Sequence, residues 1–137
     1  MIIVDASVLI AHLDGDDAHH ARATDALEQA SEEFGASSIT LAEVLVGPAR
    51  QGRLAEARVA LHALEVRELP LPGDAAERLA VLRAAVGLRL PDCCVLLAAQ
   101  EAGGTVLTFD ERLGREASRL GHDSLSQPGE TAHGTSP

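Results

Sequence analysis

The sequence contains no lysine; all eleven basic residues are arginine. Sites that need a phosphate-binding or Schiff-base lysine are therefore excluded, P-loop NTPases among them. Trp and Tyr are also absent, and the only aromatic carbon rings are Phe34 and Phe109. The core is expected to consist of Ala, Val, Leu and Ile, which suits helices packed closely on a small sheet. The only two cysteines, Cys93 and Cys94, are adjacent, so no disulfide can join separated segments. Both are expected to pack as small hydrophobes. No apolar run approaches the length that crosses a bilayer. The opening MIIVDASVLI is broken by Asp5 and lacks the basic start and cleavage site of a signal peptide. A reduced, cytoplasmic protein with no membrane partner is expected.

A chain of 137 residues suits one domain with a single sizeable core. At 46% hydrophobic and 23% charged, it has the composition of an ordinary globular protein and not of a disordered one. The formal net charge of −10 opposes indiscriminate binding to nucleic acid, which needs a basic surface.

Residues 2–4 form a short apolar run ending in Asp5, the pattern of a buried parallel strand. A short helix over 7–13 leads to the polar turn Asp14-Gly15-Asp16-Asp17. Helical spacing of Ala23, Ala26, Leu27 and Ala30 predicts a longer helix over 18–33. A weak strand at 34–37 precedes helices over 39–51 and 54–64, the latter expected to turn Val59, Leu61 and Leu64 inward. A short strand at 66–69 meets the breaker Pro70-Leu71-Pro72-Gly73. Asp74 is expected to cap a helix to about 86, and Pro91 to open one ending at Gly103-Gly104. A strand over 105–108, a helix over 111–119 and a last strand near 124–125 complete the pattern. Residues 126–137 have no apolar periodicity and are expected to be a disordered tail. Strands alternating with helices predict an α/β fold, a mostly parallel sheet of four to five short strands flanked by helices.

Four acids recur at element boundaries: Asp5, Glu43, Asp92 and Asp110. Each has a local explanation. Asp5 or Ser7 can cap the first helix, and Asp110 the last. Thr40 and Glu43 match a capping box, and Asp92 complements a helix dipole. Jointly they say more, because strand carboxyl ends and helix amino ends share one edge of a parallel sheet, where ligands bind. Side chains early in a helix also point back toward its N-terminus, aiming Glu43 and Asp92 at that edge. Clustered carboxylates repel one another or bind a cation, and an all-oxygen set suits Mg²⁺ or Mn²⁺.

With IIVDASVLIAHL at the start, SSITLAEVLVG around Glu43 and LPDCCVLLAAQEAGGTVLTFDERL around Asp92 and Asp110, the chain resembles the PIN-domain family. Within that family the likeness is to the VapC toxins of type II toxin–antitoxin pairs, and it covers residues 1–125. The resemblance implies a PIN-like domain acting as a metal-dependent endoribonuclease on RNA phosphodiester bonds. It implies that Asp5, Asp92 and Asp110 bind Mg²⁺ or Mn²⁺, with Glu43 orienting or deprotonating water. Ser7, Thr40 and Thr108 would support these acids by hydrogen bonds. It further implies a homodimer held inactive by a VapB-type antitoxin, docked on the helices between residues 7 and 64. The cysteines after Asp92 depart from the small apolar residues usual there.

Arg112 and Arg115 are the candidates for phosphate contact. His12, His19 and His20, near the acidic turn, read as a solvated helix start in preference to a second metal site. Since the proposed site accounts for four of the ten net negative charges, the remaining acidity predicts selectivity for particular folded RNAs, such as tRNA or ribosomal loops. Two other functions fit a chain of this kind. A phosphatase or receiver domain would need the missing lysine, and the phosphatase pattern an Asp where Ser7 stands. A catalytically silent PIN-like module that only binds an antitoxin or RNA is the second alternative.

Overall fold

The computed structural model describes residues 1–125. The expectation of a disordered tail concerns residues outside that span. Five short strands are present: β1 Ile2–Val4, β2 Phe34–Ser37, β3 Arg67–Leu69, β4 Thr105–Leu107 and β5 Ser124–Leu125. They form one sheet in the order β3-β2-β1-β4-β5, and every neighbouring pair is parallel. Seven helices connect them: α1 Ala6–Leu13, α2 His20–Gln29, α3 Ser38–Arg50, α4 Leu54–Ala63, α5 Ala75–Val86, α6 Leu90–Ala102 and α7 Glu111–Arg119.

The pleat divides the core. Ile2, Val4 and Leu107 join a buried cluster with Leu9, Leu27, Val44 and Leu61 of α1 to α4. Ile3 and Val106 face the other way, onto Leu82, Leu96, Leu113 and Ala117 of α5 to α7. The period-2 alternation of a strand thus builds two layers from three residues of β1. Helix α6 is buried through Cys93–Ala99 on every face, so only small or aliphatic side chains fit there. Both cysteines are free and buried, packing as small hydrophobes.

The chain runs from β1 outward to β3, then returns across β1 to β4. The reversal places the topological switch point between β1 and β4, where an open α/β sheet parts to form a crevice. Asp5 follows β1 there, and its backbone N–H donates to Leu107 O at 2.9 Å.

Three local expectations are corrected. Helix α2 spans His20–Gln29 and not 18–33, because Asp14 and Asp17 hold the preceding residues in turns by accepting from the backbone N–H of Asp16 and His19. Val59 points outward and is 69% exposed, while Leu61 is buried and Leu64 packs partly buried against the same core. Asp74 occupies the N-cap position of α5 but makes no side-chain cap bond; its carboxylate lies 3.7 Å from Arg78 instead.

Candidate active site

Asp5 is the most constrained of the four acids. It is buried, and its Oδ2 accepts from Ser7 Oγ and from Thr108 Oγ1, each at 2.8 Å. It stands at the N-cap position of α1 without a side-chain cap bond, so the helix-cap reading does not explain its carboxylate. Two hydroxyls holding one oxygen fix the carboxylate plane and leave Oδ1 for another partner. Ser7 Oγ also accepts from Phe109 N at 3.2 Å, and Thr108 Oγ1 from Asp110 N at 2.9 Å. Both hydroxyls therefore tie the end of β1 to the end of β4.

Asp110 does cap α7: its Oδ1 accepts from the backbone N–H of Arg112 at 2.9 Å and of Leu113 at 3.2 Å. The cap uses one oxygen and leaves the other unbonded. A capping carboxylate can serve a ligand at the same time.

Glu43 is freed from its local explanation. Helix α3 begins at Ser38 and its cap is Ser37, whose Oγ accepts from Ile39 N at 3.2 Å. Thr40 lies inside the first turn, so the Thr40–Glu43 capping box does not form, and Glu43 sits in the second turn. Burial, then the charge of Asp5, pushes the Glu43 pKa above the usual carboxylate range; Arg89 opposes the rise and Asp92 adds to it. Asp92, in the first turn of α6, is raised by burial, then Asp5, with Asp110 adding and Arg89 and Arg112 opposing. These influences link all four carboxylates in one electrostatic cluster, with Asp5 and Asp92 at its centre.

Thr40 is buried with its Oγ1 lacking a hydrogen-bond partner, and no bond joins it to the acids. Sequence reading missed Arg89, whose Nε lies 3.9 Å from Asp92 Oδ2. Its position three residues before an acid on a helix start was the available signal. Arg112 reaches the same edge and donates to Gly87 O at 3.3 Å, whereas Arg115 lines a separate cleft beside Asp110. Arg22 was missed as well: its guanidinium lies over the Phe109 ring, 4.7 Å from the centroid.

The histidines are not simply solvated. His12 Nδ1 pairs with Thr24 Oγ1 at 2.9 Å, His20 Nδ1 meets Ala11 O at 3.0 Å, and the two rings stack. They fasten α1 to α2. Burial and neighbouring His20 lower the His12 pKa, which favours the neutral ring in that contact.

The donor set suits a hard divalent cation: carboxylate oxygens only, two of them on groups whose ionisation is opposed by burial and by the charge of Asp5. Among the described residues, no three His, Cys, Asp or Glu side chains converge on one ion position.

The sequence profile of the PIN domain matches residues 2–118. The chain belongs to the PIN domain family. Among solved structures, this PIN domain is similar to a chain of a toxin–antitoxin complex from Klebsiella pneumoniae. The identity is 29%, the TM-score 0.69, and the alignment covers 80% of this chain and 87% of the other. It is similar to the VapC20 toxin of Mycobacterium tuberculosis, a sarcin–ricin loop cleaving toxin, at 18% identity and TM-score 0.75, covering 93% and 100%. It is also similar to FitAcB from Neisseria gonorrhoeae at 22% identity and TM-score 0.68, covering 92% and 97%. No curated protein matches it in sequence. No helix among the described residues is long and apolar enough to cross a membrane.

Proposed function

We propose that this PIN domain is the toxin of a type II toxin–antitoxin pair, a metal-dependent endoribonuclease that hydrolyses RNA phosphodiester bonds. The observation that carries the reading is the coupling of Asp5, Glu43, Asp92 and Asp110 at the switch point of a PIN sheet. Asp5, Asp92 and Asp110 would hold Mg²⁺ or Mn²⁺, with Ser7 and Thr108 fixing the Asp5 carboxylate. An ion held there would supply charge neutralisation at the scissile phosphate and lower the pKa of a bound water. Glu43 accepts a proton from the attacking water; its raised pKa brings it closer to the neutral range where a general base works best.

A toxin of this kind is held by a VapB-type antitoxin and forms a homodimer. Supporting a partner surface, Ile10, Val46 and Val59 on α1, α3 and α4 are 41%, 44% and 69% exposed. The similar chain from the Klebsiella pneumoniae toxin–antitoxin complex supports the antitoxin partner. The silent-module alternative has nothing in its favour here, since all four acids are present and coupled.

The test combines Mn²⁺ titration and cleavage of RNA by the purified chain with Asp5→Asn and Asp92→Asn. Both substitutions are expected to weaken Mn²⁺ binding and to abolish cleavage. The enzyme reading fails if both variants bind Mn²⁺ and cut RNA like the unaltered chain. Growth arrest on expression, relieved by the neighbouring gene, tests the toxin assignment.

A further inference from the structure

A nuclease with a net charge of −10 must still admit a polyanion. The charge around the acid cluster is uneven. Toward α1 and α3 lies a groove of about 430 Å³ lined by Asp14, Asp16 and Glu43. Its one cation, Arg53, already donates to Glu56. Toward α6 and α7 stand Arg89 and Arg112, near enough to Asp92 to ease its ionisation. Beyond Asp110 a cleft of about 560 Å³ is lined by Arg115 and Arg119 together with the acids Asp110 and Glu111. Arg119 is paired with Glu116, while Arg115 has no ion-pair partner among the described residues.

The segment before Arg89 is built to hold it there. Gly87 has φ +68°, and its carbonyl accepts from Arg112. The Leu88 carbonyl accepts from Arg83 Nη1 at 2.8 Å and from Cys93 Sγ at 3.8 Å, with the Leu88 side chain buried. Arg89 then takes an extended backbone at the N-cap of α6. Its side chain is 77% exposed, and at 3.9 Å from Asp92 the guanidinium lies beyond hydrogen-bond distance. An exposed pair of this length contributes little and is readily exchanged for a stronger charge-assisted bond to phosphate.

We propose that Arg89 binds a phosphate of the substrate RNA beside the scissile bond, so that the strand lies over the α6–α7 edge and not over the α1–α3 groove. The inference rests on the ribonuclease reading. In the free protein the same guanidinium repels a cation from the carboxylates it partly neutralises. Removing it therefore acts in opposite directions on the two ligands, a signature that loss of structure would not give.

The experiment measures two affinities in Arg89→Ala, Arg89→Lys and, as a charge-matched control on the exposed face of α4, Arg58→Ala. One is for a labelled single-stranded oligoribonucleotide of mixed sequence, with Ca²⁺ replacing Mg²⁺ and salt varied. The other is for Mn²⁺ alone. Arg89→Ala is expected to weaken RNA binding roughly tenfold and to flatten the logarithmic salt slope by about 0.7. Its Mn²⁺ affinity is expected to rise by about threefold. Arg89→Lys should keep the slope and lose part of the affinity, which carries the test if Arg89→Ala does not fold. Arg58→Ala should change neither affinity by more than about twofold. Unchanged RNA affinity in Arg89→Ala, an equal loss in Arg58→Ala, or weaker Mn²⁺ binding in Arg89→Ala overturns the proposal. Failure of the unaltered chain to cleave any RNA with Mg²⁺ or Mn²⁺ overturns the ribonuclease reading instead.

Discussion

Thr108 Oγ1 sits between two of the four acids, donating to Asp5 and accepting from the Asp110 backbone. Thr108→Val keeps the shape and removes both bonds, leaving a buried carboxylate oxygen and an N–H each short of a partner. A loss of about 2 kcal/mol in urea unfolding is expected, together with weaker Mn²⁺ binding. Glu43 and Asp92 act in the other direction. Their folded pKa values are raised, whereas in the unfolded chain they titrate near the ordinary value of about 4. The native state therefore binds their protons more tightly, and stability falls as pH rises from the ordinary carboxylate pKa through the raised one. Glu43→Gln is expected to raise the thermal midpoint of the metal-free protein at pH 7. That gain should vanish below about pH 4, where the native carboxyl is itself protonated. Thermal scans in EDTA at the two pH values check it; an equal gain at both would rule out relief of charge as the cause.

Among the elements, starts and stops decide where the chemistry points. Because Ser37 takes the cap of α3, the helix begins before Thr40, and Glu43 is released from the capping box that its sequence spacing suggested. At the other end, Gly103-Gly104 stops α6 and admits β4 beside β1. Gly103 has φ +66°, and a Cβ on Gly104 would stand 2.6 Å from the Met1 carbonyl oxygen. Backbone cannot yield there as a flexible side chain would. Gly104→Ala is therefore expected to cost about 2 kcal/mol, against less than about 0.5 for Gly15→Ala, which meets nothing within 4 Å. Urea midpoints of the two variants make the comparison. Of the elements, the strands after which acids stand and the Pro91 helix were legible from pattern alone. The late start of α2 and the outward turn of Val59 were not, because turn bonds and neighbouring layers settled them.

For the whole molecule, the metal-free state carries the repulsion of its clustered acids, so the cation should stabilise the fold as well as serve the reaction. Mn²⁺ at a hundred times its dissociation constant is expected to add about 2.7 kcal/mol. EDTA should reverse the gain, and Asp92→Asn should lose most of it; calorimetry with and without Mn²⁺ measures both. The overall charge of −10 gives a second expectation, that folded RNAs are cut selectively and unrelated ones little at physiological salt. Comparison of cleavage rates on tRNA, ribosomal RNA and unstructured RNA tests it, equal rates counting against selectivity.

The opening residues IIVD and the stretch from Asp92 to Asp110 determined the α/β class, the two strands β1 and β4 and three of the acids. Local periodicity and the punctuation of Pro91 and Gly103 are properties of the chain itself. Which of those acids cap a helix was decided only by tertiary structure. A capping box and an active carboxylate have the same spacing, and they differ in which residue begins the helix and what lies across the sheet. The fold gave the α3 cap to Ser37, brought Thr108 of β4's end onto Asp5 of β1's end, and set Arg89 beside Asp92 on a fastened loop. Asp5 and Thr108 are 103 residues apart, and no local pattern encodes a contact across that distance.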